Sequence, residues 1–137
     1  MEIRTERRLL QAAVAAACVV PLAMGAVSIA RGPEVIRGVI APEADLDSHF
    51  RYLSGLLFGI GLSFAACIPR IEATGAVFRL LGLVVMLGGL ARLVSLILVG
   101  TPGTGHLFGL AMELTVVPLL LVWQARVARK WEPPRLL

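Results

Sequence analysis

Two oppositely charged residues, Arg92 and Glu113, stand deep inside long apolar stretches of this sequence. Each lies about ten residues from the glycine-rich turn centred near Pro102 and Gly103. In an antiparallel helical hairpin rising about 1.5 Å per residue, both side chains reach the same depth, roughly 10–15 Å below the nearer membrane surface. A lone charge in hydrocarbon costs at least a few kcal/mol, and an opposite partner reduces that cost. The spacing therefore predicts an ion pair.

Further polar residues near the same ends of the apolar stretches extend this pair to a predicted pocket that opens toward the outside. Intramembrane ionisable groups are functional candidates by default, whereas buried ion pairs also fix helix register without further chemistry. Both interpretations, ligand binding and a purely structural lock, are left open at this point. The predicted members are Asp47, Arg51, Tyr52, Arg92, Ser95, His106 and Glu113.

The remaining reactive residues do not form a catalytic or metal-binding pattern. His49 and His106 lack partners at metal-ligand spacing and are interpreted as interfacial residues, so no metal site is predicted. Cys18 and Cys67 fall inside apolar stretches, where buried small side chains are the expectation and a disulfide is not. No nucleophile elbow, phosphate loop, HExxH or paired-cysteine motif occurs, and no cofactor is predicted.

Four apolar stretches must position these residues. The 137 residues are 58% hydrophobic and only 16% charged, whereas average soluble domains carry roughly a quarter charged residues. At roughly 20 residues per membrane-spanning helix, four spans nearly use up the chain. The prediction is an all-α, transmembrane four-helix bundle in a single membrane domain covering 1–137. Its spans are at about 9–30, 49–68, 76–99 and 106–124.

Features within the spans refine this prediction. The first stretch is longer than the apolar region of a signal peptide, about 7–15 residues, so an uncleaved span is favoured. Pro21 and Pro118 are predicted to kink their helices. Asp47 or Ser48 is predicted to cap the second span. Small residues suggest faces for close helix packing. In the second span they are Gly55 and Gly59, and in the third span the small residue is Gly88, beside Arg92.

The distribution of basic residues predicts orientation, with both termini in the cytoplasm (N-in/C-in). This places the connection 31–48 outside and the basic tail 125–137 inside. The net charge of +4 follows from these topology signals, and no nucleic-acid partner is predicted because no basic stripe is interleaved with aromatic residues. Three cations then lie outside: Arg31, Arg37 and Arg51. Nine lie inside: Arg4, Arg7, Arg8, Arg70, Arg79, Arg126, Arg129, Lys130 and Arg135.

The segment 45–55, DLDSHFRYLSG, resembles a family of small bacterial four-helix membrane proteins known only as a domain of unknown function. The resemblance continues through 68–72 (IPRIE) and 88–93 (GGLARL) to Glu113, and covers most of 9–130. It implies a four-helix fold in a bacterial cytoplasmic (inner) membrane and implies no activity. The chain also resembles DoxX-like four-helix membrane proteins distantly.

The favoured functional hypothesis is a non-catalytic integral membrane protein that binds a small molecule, a lipid or a partner protein through the outward-facing pocket. One alternative is a small transporter or channel subunit in which Arg92 and Glu113 form a gate or proton-coupling pair. Another is a membrane enzyme acting on a lipophilic substrate with Glu113 as acid or base. The expected surroundings are the lipid bilayer, and a homo-oligomer or a second membrane protein is left open as a partner.

Overall fold

The structure, a computed structural model, describes residues 2–131 of the chain. Within this range no strand occurs and the chain is helical apart from its connections, which confirms the all-α prediction. A π-helical segment, Met112–Val116, joins two of the helices, and the three pieces from Thr104 to Trp131 are called the fourth span. The helices are α1 (Ile3–Arg31), α2 (Ala44–Cys67), α3 (Gly75–Val99), α4 (Thr104–Ala111) and α5 (Val117–Trp131).

Four segments of the described chain are long and apolar enough to cross a membrane. Their exposed surfaces carry many long hydrophobic side chains, including Leu87 and Ile97 of α3. Water-soluble monomers rarely expose contiguous apolar surface on this scale, whereas lipid solvates it without cost. A multi-pass membrane protein is the architecture that these helices indicate. The four segments are Ile3–Val35, Ala44–Arg70, Gly75–Val99 and Thr104–Trp131.

The helices begin earlier than the apolar stretches predicted. α1 starts at Ile3, because the Arg and Glu residues before the apolar run are good helix formers. α2 starts at Ala44 with Glu43 as its N-cap residue and no side-chain cap hydrogen bond, so the predicted cap at Asp47 or Ser48 is wrong. Acidic side chains in the first turn of α2 interact favourably with the positive end of the helix dipole. The helix can therefore begin before the apolar stretch.

The two intrahelical prolines have different surroundings. α1 is assigned as one continuous helix through Pro21. Pro118 follows the π-helical segment, in which the backbone N–H of Val117 donates to the carbonyl of Met112, five residues back. A proline has no N–H to donate and its ring clashes with the carbonyl four residues earlier, at Leu114. The wider turn accommodates this defect, so the disturbance predicted at Pro118 takes the form of a π-bulge.

The chain divides into two compact units, each described by itself. In the unit formed by 12–68, α1 and α2 approach each other closely at Gly25, where an added Cβ would stand 2.9 Å from the Cβ and 3.0 Å from the Cα of Phe58. Gly61 approaches Leu22 in the same way, at 3.1 Å. Gly55 and Gly59 have no neighbour within 4 Å of an added Cβ, so the predicted packing step lies on an open face instead.

The second unit comprises the described residues 2–11 and 69–131. Here α3 packs against all three pieces of the fourth span. The close contacts are at two buried glycines of α3, since an added Cβ at Gly82 would stand 2.5 Å from Leu121 and one at Gly89 would stand 2.8 Å from Leu114. The predicted glycine, Gly88, is exposed and has no such neighbour. One position along a helix rotates a side chain by about 100°, which explains the difference.

Candidate functional site

Arg92 and Glu113 form a two-pronged ion pair between α3 and the fourth span, which confirms the predicted pairing. The Nε of Arg92 donates to Oε2 of Glu113 at 3.0 Å, and Nη2 donates to Oε1 at 3.0 Å. Arg92 lies seven residues before the end of α3 and Glu113 nine residues after the start of α4. At about 1.5 Å per residue, both charges therefore lie on the order of 10 Å inside their helices.

His106 joins this pair from the first turn of α4. Its Nδ1 lies 3.0 Å from Nη1 of Arg92. Because a guanidinium group can only donate, Nδ1 must accept, and the imidazole is neutral with its hydrogen on Nε2. The cluster of Arg92, His106 and Glu113, called the Arg92 cluster below, therefore combines one cation, one anion and one neutral ring.

Local backbone features position the Arg92 cluster. Glu113 is the second residue of the π-helical segment, and its Cβ lies 2.9 Å from where a Cβ on Gly89 would stand. Any larger residue at position 89 would push the two helices apart at the ion pair. Gly109 lies beside the guanidinium group, since its added Cβ would stand 3.6 Å from Cζ of Arg92. π-bulges occur frequently at functional sites, because they redirect one side chain without ending the helix.

The guanidinium group of Arg92 is only partly satisfied within the chain. Arginine has five N–H donors, and three of them are used by Glu113 and His106. No other partner of Arg92 occurs among residues 2–131, and 35% of its side chain is exposed, against 16% for Glu113. One hydrogen on each Nη nitrogen is therefore left to bond something outside the described chain.

The other four predicted pocket residues lie on α2 and α3, outside this hydrogen-bonded cluster. Ser95 is an exposed residue of α3, and Tyr52 is 63% exposed on α2. Asp47 and Arg51 belong to the unit 12–68, whereas the Arg92 cluster belongs to the other unit. The seven-residue pocket as a whole stays a prediction, and the three residues that the structure brings together are Arg92, His106 and Glu113.

Asp47 and Arg51 form a second, independent ion pair on the first turns of α2. Arg51 donates to both carboxylate oxygens of Asp47, at 2.7 and 3.1 Å, and its Nη1 donates to the carbonyls of Ile29 and Ala30. The last carbonyls of a helix have no intrahelical partner, so Arg51 caps the end of α1. The chain turns beneath this pair at Gly32, whose φ of +68° suits glycine. This geometry gives both side chains a structural role.

A second charged network lies at the opposite end of α3 and the fourth span. Glu6 is buried, and its carboxylate is paired with Nε of Arg126 at 3.0 Å and with Nζ of Lys130 at 2.6 Å. Two cations around one buried carboxylate satisfy its acceptor oxygens and hold α1 to the end of α5. The sequence pattern did not predict this site. The buried residues Glu6, Leu10, Val14 and Cys18 recur every four positions, and that spacing places Glu6 on the buried face.

Glu72, in the connection before α3, forms the second pair of this network. Arg7 donates to Glu72 from Nε at 2.6 Å and from Nη2 at 3.3 Å, and also to the carbonyl of Pro69. The guanidinium group of Arg7 also lies over the ring of Trp131, 5.3 Å from its centroid. Burial raises the pKa of the Glu72 carboxyl. The hydrogen bond from Arg7, a backbone hydrogen bond and the nearby arginine charges lower that pKa by more than burial raises it, so the net pKa is below the ordinary value.

Replacing Glu72 by Gln is expected to destabilise the chain in a pH-dependent way. Because the pKa of Glu72 is lowered in the folded chain, its contribution is present above the ordinary carboxyl pKa and is lost as the pH falls through the lowered one. We expect the free energy of unfolding of the wild type to exceed that of Glu72→Gln by about 1.5–3 kcal/mol near neutral pH, the range for a charge-assisted hydrogen bond. Thermal unfolding in detergent at a series of pH values measures this difference, which should vanish in acid. A difference independent of pH would contradict the assignment.

Gln124 is a further buried polar residue of this unit, fully buried on α5. Its Nε2 donates to the carbonyl of Ile71 at 2.8 Å, while its Oε1 has no hydrogen-bond partner among the described residues. Among residues 2–131, no three His, Cys, Asp or Glu side chains form a group that could hold a metal ion.

Comparison with known proteins adds the family. A model of the family described as "Domain of unknown function (DUF4345)" matches residues 9–124. A search of curated proteins and a search of solved structures found no match to this chain. The resemblance to a family of unknown function is thereby confirmed, whereas the distant likeness to DoxX-like proteins stays a prediction.

Proposed function

This chain belongs to the family described as "Domain of unknown function (DUF4345)", a description that names no activity, and from its geometry we propose that the chain binds a small lipophilic molecule carrying an acceptor oxygen. The Arg92 cluster is the proposed site, and binding occurs without chemical change. The observation that carries this proposal is the partly exposed guanidinium group of Arg92, with two N–H donors left over inside an apolar span.

The physical argument starts from the cost of an unmet donor. A polar group in hydrocarbon without a hydrogen bond costs a few kcal/mol, and lipid tails offer no acceptor. A ketone, ester or amide oxygen in the plane of the guanidinium group would satisfy both remaining Nη hydrogens. Glu113 already balances the charge of Arg92, and His106 is neutral, so a neutral ligand fits the site better than an anion.

The setting of the site supports a ligand that arrives through the membrane. The face of α3 that carries Arg92 also carries Leu96, half-buried, and Val99, exposed, one and two turns further along, and the start of the fourth span carries the exposed Phe108. An apolar molecule in the bilayer would contact these side chains while its oxygen reaches Arg92. We place the chain in a bacterial cytoplasmic membrane with both termini inside, on the distribution of arginines, so that the site lies nearer the outer leaflet.

The test compares two probes that differ in one oxygen. The purified chain in detergent is loaded with a medium-chain methyl ketone or with the alkane of the same length, and native mass spectrometry counts bound molecules. A charge-assisted hydrogen bond is worth about 1.5–3 kcal/mol, so the ketone should bind about 10- to 100-fold more tightly than the alkane. Equal binding of both probes would contradict the proposal.

The matched variants separate binding from folding. The double change Arg92→Leu with Glu113→Met removes both charges at similar volume and should abolish the preference for the ketone while the chain still folds. The control is Leu87→Met on the exposed face of α3, which should bind both probes as the wild type does. A folded double variant that keeps the preference would show that the oxygen binds elsewhere.

A further inference from the structure

Two arginines line one groove between α3 and α5, at the end of the helices opposite the Arg92 cluster. Arg79 follows the first turn of α3, and Arg129 lies in the last turn of α5. Both are exposed, and among residues 2–131 neither has an ion pair or hydrogen-bond partner. The groove has a volume of about 490 Å³, and its remaining lining residues are Val122, Ala125 and Ala128.

The neighbouring cations at this end of the unit are already engaged. Arg126 and Lys130, on the same turns of α5, pair with the buried Glu6. Arg7 pairs with Glu72. Among residues 2–131, the two groove arginines are therefore a double positive charge without a partner, beside a network whose charges are paired.

The groove continues along the helices, where apolar side chains line it apart from Arg79. A second cavity of about 270 Å³ shares Arg79, Val122 and Ala125 and adds Leu83 and Leu121. The side chain of Arg79 runs toward the start of α3, since its Nη1 lies 3.2 Å from where a Cβ on Gly75 would stand. Its charge thus lies at the helix end, while its stem covers apolar surface.

We infer that this groove binds one anionic phospholipid, with the headgroup phosphate between Arg79 and Arg129 and an acyl chain along Leu83, Leu121 and Val122. Guanidinium groups bind phosphate oxygens with two parallel hydrogen bonds, which fits a phosphate held by two arginines. The apolar part of the groove favours a lipid over a free phosphate ion, because only a lipid has an acyl chain that can pack against its side chains. Basic sites between membrane helices are a known chemistry for anionic headgroups.

The binding test uses native mass spectrometry of the full chain in detergent, titrated with phosphatidylglycerol or with phosphatidylcholine of the same acyl chains. Both lipids carry the phosphate, but the quaternary ammonium of phosphatidylcholine would lie beside two arginine cations and offset their attraction, so we expect phosphatidylglycerol to bind at least about tenfold more tightly. Inorganic phosphate at the same concentration should not displace it. Equal binding of the two lipids, or displacement by inorganic phosphate, would overturn the inference.

Two variants of equal charge decide whether the groove itself is the site. Arg79→Gln with Arg129→Gln should weaken phosphatidylglycerol binding at least tenfold. Arg8→Gln with Arg70→Gln removes the same charge from exposed positions that do not line the groove, and should change binding less than about threefold. Equal losses in both double variants would mean general electrostatic attraction and would overturn the inference.

A third variant keeps the test decisive if the first does not fold. Ala125 lines both parts of the groove, and Ala125→Phe fills the groove without changing the charge. Binding of phosphatidylglycerol should again fall at least tenfold, with both arginines present. Unchanged lipid binding in folded Ala125→Phe would place the acyl chain elsewhere and reject the proposed site.

Discussion

Replacing Glu113 by Ala is expected to reduce the free energy of unfolding by about 3 kcal/mol, the order found when one partner of a buried ion pair is removed. The change leaves the Arg92 guanidinium without its anion inside an apolar span, where insertion scales assign an arginine about 2.5–3.5 kcal/mol. The two hydrogen bonds of 3.0 Å that are lost would otherwise hold α3 to the π-helical segment. Unfolding in detergent by heat or denaturant measures the effect.

The double variant provides the control for this prediction. Arg92→Leu with Glu113→Met leaves no unpaired charge, so it should unfold within about 1 kcal/mol of the wild type. The double-mutant cycle should therefore show a coupling free energy of several kcal/mol between the two positions. Additive losses in the cycle would mean that the pair does not act as a unit, and the account of the Arg92 cluster would fail.

Gly25→Ala is expected to destabilise the unit formed by 12–68 by about 1–3 kcal/mol, the usual cost of overpacking. The added methyl would meet the Cβ and the backbone of Phe58 at 2.9–3.0 Å, and a backbone cannot rotate away as a side chain can. α1 and α2 would have to separate along their whole contact. Thermal unfolding in detergent of the variant and the wild type measures the cost.

Gly59→Ala is the matched control on α2. An added Cβ there has no neighbour within 4 Å, and alanine is a better helix former than glycine by about 1 kcal/mol. This variant should therefore be as stable as the wild type or more stable. If Gly25→Ala and Gly59→Ala behaved alike, the close approach of α1 and α2 at Gly25 would be disproved.

The Arg92 cluster illustrates what spacing alone can predict. The turn near Pro102 and Gly103 lies between α3 and α4, and equal distances from it place Arg92 and Glu113 at equal depth. Two helices joined by a short turn are forced to be neighbours, so the pairing follows from the sequence. The π-bulge cannot be predicted in this way. A helix can accommodate a proline such as Pro118 by a kink or by a π-bulge, and the surrounding packing decides between them.

The missed network around Glu6 and Glu72 shows where such reasoning ends. Glu6 pairs with Lys130 across 124 positions of sequence, and Arg7 pairs with Glu72 across 65. Nothing in the sequence states which helix ends meet, so charges in these flanks were interpreted only as topology signals. The helices begin before the predicted spans for a related reason, since an apolar pattern does not detect polar residues that continue a helix.

The glycine contacts show a third kind of limit. Seven of the glycines lie in helices α2 and α3 between residues 55 and 89, and the residue type is the same whether the glycine faces a helix or an open surface. Gly88 and Gly89 differ by one position, yet only Gly89 approaches the fourth span. The helix rotation that decides between them is set by packing, which the sequence pattern does not resolve.

Extraction of native membranes tests most directly the claim that lipid surrounds these helices and forces the Arg92 charge to find Glu113. The full chain is expected to remain in the membrane pellet after washing with alkaline carbonate and to enter solution only with detergent, because its exposed helix faces are apolar. Release of the chain by carbonate into a soluble, monodisperse form without detergent would contradict the account.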